Sequence, residues 1–363
     1  MNFTNIHSLP KVVTTALDYA KGLYSAGISD YTPSSLNTPP QIRRLMKEHH
    51  KELEGDYSEV LASFLGTSVH DMFERSLENN PDYITEERYY RYIDMPDGSK
   101  RLISGQVDAY EIPSNSLIDF KITSIYKGSK GADRDWTLQG NINAFIMRKP
   151  MVYDKALKEL IPVNPLPVEN LYNVIWCKDW RQSEVNKKAE YPETPIMIIP
   201  LPFMDEADVI AYIVNSIEQH EAETVRECTS EERWADLPKF AVTKEGNTVA
   251  TSLVASEAEA EMVKAGLEAT VELPAYVIAP KEVKGVLTYG VVKEGGKRPS
   301  ASFNTPEEAE AYISEQQEKA KVHYNIVERK GNLWRRCEKW CSVKQWCPQY
   351  QKGQVQDLLK EFE

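Results

Sequence analysis

The chain has 363 residues, 41% hydrophobic and 27% charged, the profile of a globular protein long enough for one large domain with an insertion or for two domains. Its formal net charge of -12 counts against a passive nucleic-acid-binding module, and less against a metal-dependent nuclease whose basic groups are confined to one groove. Five cysteines without a small-domain pairing pattern, no basic leader before an apolar run, and no stretch of about 18 apolar residues predict a cytoplasmic protein with reduced thiols and no membrane span.

In chain order, Ser and Thr caps and the Pro39-Pro40 stop precede a helix predicted from about Gln41, with Ile42, Leu45 and Met46 at helical spacing. Arg43, Arg44, Lys47 and Lys51 form a basic stripe on it, read either as a solvated face or as a DNA-backbone contact. His49 and His50 are read as surface residues. A second helix, Ser58 to Glu78, is predicted buried on Val60, Leu61, Phe64, Leu65, Val69, Met72, Phe73 and Leu77. His70 and Glu74 are four apart within it and so lie on one face. A lone histidine there is more often a core group than a ligand, but Gly66-Thr-Ser ahead of it allows a close backbone approach.

Strand patterning follows from Tyr83, with an Asp97-Gly98 turn leading into a strand over Ile103 to Tyr110 that carries Asp108. After the Pro113 to Ser116 turn, Leu117 to Thr123 carries Asp119 and Lys121 two apart, hence on one strand face, with Ile118, Phe120 and Ile122 on the other. This hairpin is either a cross-strand ion pair or a divalent-metal site with a positioned lysine. A Gly- and Lys-rich loop precedes a helix over Trp136 to Lys149 that bears Gln139 and Asn143 one turn apart. Strands at Asn170 to Trp180 and, buried, at Met197 to Pro202, then an amphipathic helix over Glu206 to Glu227, continue an α/β order. Cys177 and Cys228 are expected to be packing thiols.

An internal repeat then appears. Phe240 to Val263 matches Tyr289 to Ile313 as strand, Lys-Glu-Gly turn, strand, cap and Ala/Glu helix, with Ser256 and Thr305 as the caps. The predicted organisation is a core over residues 1–235, an insertion of two ββα repeats over 236–328, and a Cys/Trp-rich segment over 329–363 that packs back on the core. In that segment Cys337, Cys341 and Cys347 are spaced as a soft-metal or iron–sulfur site lacking a fourth ligand. A packed cap with free thiols is the equal alternative, and nearby Arg, Lys and Trp residues could meet nucleic acid.

Hydrolysis of a phosphodiester needs a metal, carboxylates to hold it and a group to orient the nucleophile. Asp108 and Asp119 offer hard oxygens, the Phe120 carbonyl a third, and His70 can complete a Mg²⁺ or Mn²⁺ shell, with Lys121 serving the water or the developing charge. The runs Gly66-Thr-Ser-Val-His70-Asp-Met-Phe-Glu74, Gly105-Gln-Val-Asp108 and Ile118-Asp119-Phe-Lys121, with the helix carrying Gln139, resemble the PD-(D/E)XK nuclease superfamily. The likeness is to its RecB-type branch, which includes phage recombination exonucleases and CRISPR-associated adaptation nucleases. It implies a restriction-endonuclease-like core, a central mixed β-sheet flanked by helices. It implies Lys121, Asp119, Asp108, Gln139 and Glu74 as the catalytic set, and His70, Asp108, Asp119 and the Phe120 carbonyl as ligands of Mg²⁺ or Mn²⁺. DNA is the implied substrate, with a phage recombination protein as partner. Asn143 stands where that branch carries a tyrosine. Iron–sulfur members place one cysteine upstream of the histidine motif, and here no cysteine precedes Cys177. The expected function is a metal-dependent DNA exonuclease of phage or prophage recombination or DNA processing. The alternatives are an interaction protein on a nuclease scaffold, docking through its repeats, and an endonuclease.

Overall fold

The computed structural model describes residues 2–23, 27–185, 187, 191–271, 273–283, 286–296 and 298–360. It is a mixed α/β protein whose chain divides into two compact units, Met1–Glu232 with Trp340–Glu363, and Arg233–Lys339.

The first unit opens with β1 (Asn2–Thr4), α1 (Lys11–Leu23), α2 (Pro33–Asn37), α3 (Pro40–Glu48), β2 (Glu54–Asp56) and α4 (Tyr57–Leu77). Thr32 and Asp56 begin α2 and α4 with reciprocal capping bonds from Ser35 and Glu59, which satisfy amides that the first turn would leave orphaned. The helix expected to be buried over Ser58–Glu78 is only half-buried. Leu61, Leu65 and Met72 are exposed, because α4 sets its Phe73 and Leu77 against the sheet and turns the rest of its apolar girth outward.

Next come β3 (Tyr83–Thr85), β4 (Arg88–Asp94), β5 (Lys100–Gln106), β6 (Ala109–Glu111), β7 (Ser116–Thr123), α5 (Ile125–Gly128) and α6 (Arg134–Met147). Strands β3 to β6 are the arms of one long hairpin, since Arg88↔Gln106 and Thr85↔Ala109 keep a single register. Its turn needs the left-handed backbone of Gly98, φ +81°, which returns an amide to the Met95 carbonyl; glycine adopts that conformation without steric cost. The distal arms pair with β8 (Met151–Asp154) and β9 (Glu159–Pro162) in the order β5-β4-β8-β9. The proximal arms enter a five-stranded sheet of order β11-β10-β7-β6-β3, with β10 (Asn170–Cys177) and β11 (Ile196–Pro200). Within it only β7 and β10 run parallel. The hairpin leaves one sheet for the other at Glu86-Glu87 and Val107-Asp108, four residues that lie outside the named strands.

Helix α6 occupies the centre of the core. Asp133 caps it through the amides of Asp135 and Trp136, and Leu138, Ile142, Phe145, Ile146 and Met147 are buried along it. Of these, Ile142, Phe145, Ile146 and Met147 belong to one cluster with Ile103, Tyr110, Leu117 and the Ile213 and Ile217 of α7 (Glu206–Glu221). Two expectations are corrected here. The strand over Met197–Pro202 is not buried, because β11 is the last strand of its sheet and turns Ile196 and Ile198 to solvent. The helix expected to reach Glu227 stops at Glu221, where Ala222 turns extended, ψ 139°.

The second unit runs β12 (Lys239–Lys244), β13 (Ala250–Val254), α8 (Glu257–Ala269), β14 (Tyr276–Val283), β15 (Val286–Lys293), β16 (Ala301–Phe303), α9 (Pro306–Ala320) and β17 (Tyr324–Arg329), ending on α10 (Arg335–Lys339). The repeats are β12-β13-α8 and β15-β16-α9, and Ser256 and Thr305 cap their helices through the amides of Glu259 and Glu308. The first strand of each repeat is the middle strand of a three-stranded sheet, β13-β12-β17 and β14-β15-β16. The chain closes in the first unit with α11 (Pro348–Lys360). Among the described residues no helix is long and apolar enough to cross a membrane.

Candidate metal centre

The break in the hairpin gathers acidic groups by register alone. One step beyond Thr85↔Ala109 sets Glu86 opposite Asp108, and one step beyond Ala109↔Ile118 sets Asp108 opposite Asp119. Strand β10 continues the row with Asn173, the partner of Asp119. Residues in cross-strand register share a sheet face, and like charges so placed repel unless something neutralises them. His70 joins this row from α4, which is docked by the stacking of Phe73 on Phe120 at 4.1 Å between ring centroids. Its Nδ1 lies 3.5 Å from Asp108 Oδ2 and 3.9 Å from Glu86 Oε1, and its Nε2 is 3.0 Å from the Phe120 carbonyl oxygen. The ligand atoms of His70, Glu86 and Asp108 lie within 4.8 Å of one another. With the regular ladder interrupted at Asp108, its carboxylate accepts the Phe120 amide at 2.8 Å.

Asp119 and Lys121 share a strand face and pair at 2.7 Å. Gln139 of α6 reaches both. Its Nε2 donates to Asp119 Oδ1 at 2.9 Å, and its Oε1 accepts from Lys121 Nζ at 3.1 Å. A single amide thereby orients a carboxylate and an ammonium that alternation alone would leave free to rotate. Asn143, one turn further along α6, is buried against Gly105, where an added Cβ would stand 2.0 Å from Asn143 Oδ1. Glu74 is exposed on α4 and is felt at the cluster as a like charge that helps raise the Glu86 carboxyl.

Electrostatics favour a neutral state in the ion-free cluster. Burial first, and Asp119 second, push the Asp108 carboxyl well above its ordinary range. Burial also raises Glu86 and lowers the His70 imidazole. The converging donor set is one imidazole and two carboxylates, a borderline nitrogen with hard oxygens, which suits Mn²⁺ and, through the oxygens, Mg²⁺. Beside this set the buried amide nitrogen of Asn173, Nδ2, has no hydrogen-bond acceptor among the described residues, and the water shell of a bound cation would supply one. The residues therefore fit a divalent ion. Of the four expected ligands, His70 and Asp108 converge, joined by Glu86; the Phe120 carbonyl lies at the other ring nitrogen of His70, and Asp119 stands with Lys121 and Gln139.

Glu86 was not among the sequence candidates. It holds a φ of +51°, a backbone strain that non-glycine residues show where the surroundings over-determine it. Its Oε2 accepts from Gln106 Nε2, and Gln106 Oε1 in turn accepts from Arg88 Nη2 at 2.6 Å, which leaves Oε1 on the His70 side. The signal available in the sequence was the Asp97-Gly98 turn, whose register carries Glu86 opposite Asp108.

All five cysteines are buried, and none is in a disulfide. Cys347 Sγ accepts from Gln41 Nε2 at 3.5 Å, and Gln41 Oε1 accepts the amide of Cys228 at 3.2 Å, so Cys228 and Cys347 are neighbours through one glutamine. Trp346 stacks on His49 at 4.3 Å, which accounts for two residues that the sequence left on the surface or in a nucleic-acid contact. Cys341 sits in the turn that leads to Cys347, and Cys337 lies in α10.

No protein-family model matches the chain, and no curated protein does. A solved structure described as the crystal structure of SSO0001 is similar at 18% identity and a TM-score of 0.38, covering 57% of this chain and 83% of that one. A likeness of that depth bears on neither fold nor chemistry.

Proposed function

We propose that the chain is a Mg²⁺- or Mn²⁺-dependent deoxyribonuclease of the exonuclease type, acting in phage or prophage recombination or DNA processing, on a restriction-endonuclease-like core. The observation that carries this reading is the convergence at one break in the sheet of a hard-ligand cluster, His70, Glu86 and Asp108, with an oriented Asp119–Gln139–Lys121 trio. A divalent ion bound there would neutralise phosphate oxygens and make a water molecule acidic. His70, neutral because it is buried, is in the protonation state a ligand requires. Lys121 Nζ, tied on two sides, offers its remaining N–H to an attacking water or to a phosphate oxygen as negative charge develops. Gln139 holds that ammonium in place without neutralising it. A cation bound there would favour the ionised form of Asp108, whose carboxyl burial raises, so binding would be opposed by protons.

The deciding experiment is digestion of end-labelled linear DNA with Mg²⁺ or Mn²⁺, wild type beside Lys121→Ala, with covalently closed DNA as a second substrate. Wild type is expected to degrade the linear DNA from its ends and spare the closed form, and the variant to be slower by about 10²–10³ while still binding Mn²⁺. A wild type that binds no divalent ion and cuts neither substrate would overturn the proposal.

A further inference from the structure

The basic stripe of α3 divides once it is folded. Arg44 turns away, donating to the Ala222 carbonyl at 2.7 Å and approaching Glu48. Arg43, Lys47 and His50 instead line a pocket of about 570 Å³ between α2 and α3, a volume that suits a nucleotide-sized ligand. In a chain with 55 acidic residues, the lining of this pocket contains no carboxylate. Among the described residues neither Arg43 nor Lys47 forms an ion pair. Arg43 donates to the Asp30 carbonyl at 3.2 Å and lies over the Tyr31 ring at 4.4 Å. The nearest acidic group of consequence, Glu221, is already bonded through both oxygens to Arg101. His50 Nδ1 donates to the Lys47 carbonyl at 3.0 Å, which fixes the ring at the rim of the pocket. Partial burial, and then the Arg43 charge beside it, lower the Lys47 ammonium, with Glu221 acting more weakly in the other direction. The hydroxyls of Thr32 and Ser34 edge the pocket, and Met46 adds an apolar side chain to its lining.

We infer that this pocket, built by Arg43, Lys47 and His50, is a phosphate-binding subsite for a nucleotide unit, either within a DNA strand or free. The assignment of the ligand to nucleic-acid chemistry rests on the nuclease reading above; the uncompensated cationic pocket does not. Two cations on one phosphate group add charge-assisted bonds and release counter-ions, so binding is steeply salt-dependent.

The test uses the full chain with chelator, so that no strand is cut. Anisotropy of a fluorescein-labelled single-stranded oligonucleotide is measured over a salt series, and calorimetry follows dTMP, for wild type, Arg43→Gln/Lys47→Gln and Arg44→Gln. The double variant is expected to bind about tenfold more weakly, with a salt slope shallower by about 1.4, and Arg44→Gln to match wild type. Should the double variant unfold, Lys47→Gln alone, whose side chain is exposed, keeps the test, with a slope shallower by about 0.7. Loss for the oligonucleotide identifies a strand phosphate; loss for dTMP alone identifies a free nucleotide; unchanged affinity and slope for both overturn the inference. If wild type cuts DNA yet the variants bind as it does, the pocket alone fails. If wild type cuts nothing yet the variants lose phosphate binding, the nuclease reading alone fails.

Discussion

Replacing Gly105 by alanine tests how tightly the core helix and the site are joined. In an open strand this change should stabilise by about 0.5–1 kcal/mol, because alanine loses less backbone freedom on folding. Here the new Cβ would lie 2.0 Å from Asn143 Oδ1 and 3.0 Å from its Cγ, and Asn143, 6% exposed, has no solvent into which to swing. Either the Asn143 side chain repacks or α6 moves off β5, at a cost typical of overpacking, about 1–3 kcal/mol. The sign of the change is therefore reversed. Gln139 sits one turn before Asn143, so a shift of α6 also loosens the bonds to Asp119 and Lys121, and a displacement near 1 Å can lower turnover by about 10². Urea unfolding of wild type, Gly105→Ala, Asn143→Ala and the double variant forms a cycle. The double variant should recover stability relative to Gly105→Ala, with a coupling of about 1–2 kcal/mol. A Gly105→Ala protein at least as stable as wild type, with no coupling to position 143, would refute the close approach and its link to the site.

Two further outcomes follow from buried titratable groups. His220 is 8% exposed and is pushed down to about 4 by burial and then by Arg43, against weaker contacts with the backbone of Leu36 and Ser35. The unfolded chain takes up a proton near pH 6.5, which the folded protein refuses until about 4, so stability falls as pH drops through that window, by about 3 kcal/mol in full. His220→Phe should flatten the stability profile between those values, and parallel profiles for the two proteins would show that the histidine is not buried neutral. Asp108 is raised, the opposite case: above the ordinary carboxylate range the unfolded chain ionises and the folded one resists, so ion-free stability declines as pH rises toward its folded value. Asp108→Asn should therefore melt at a higher temperature than wild type at neutral pH with chelator, yet bind Mn²⁺ far more weakly in calorimetry; a lower melting temperature would contradict the assignment of buried repulsion there.

Much of this site was legible because strand alternation is a rigid rule. Asp119 and Lys121 had to share a face, and a helix beginning near Trp136 had to bring Gln139 over it or miss it by a full turn. Glu86 escaped notice because its meaning is a matter of register across a long hairpin, and the run Thr-Glu-Glu-Arg at positions 85–88 looks like any solvated connection. Burial was harder to read than secondary structure. Leu61, Leu65 and Met72 satisfy a buried pattern, yet which girth of α4 meets the sheet is decided by the stacking of Phe73 on Phe120, a contact distant in sequence rather than any local signal. The cysteine neighbourhood shows the same limit, since Cys228 and Cys347 meet through Gln41, and no spacing rule joins three such distant positions.

The sheet orders of the second unit have a consequence for how the chain can be cut and made. Strand β17 completes the sheet of the first repeat, while β14 to α9, residues 276–320, complete the second on their own. The repeats are thus nested, one threaded into the connection between the helix and last strand of the other. During synthesis the inner module has all its strands before the outer one can close. An excision of 276–320 that rejoins α8 to β17 removes one whole module and leaves the other with three strands, whereas a deletion at the repeat boundaries read from the sequence would strand β17 without its partner.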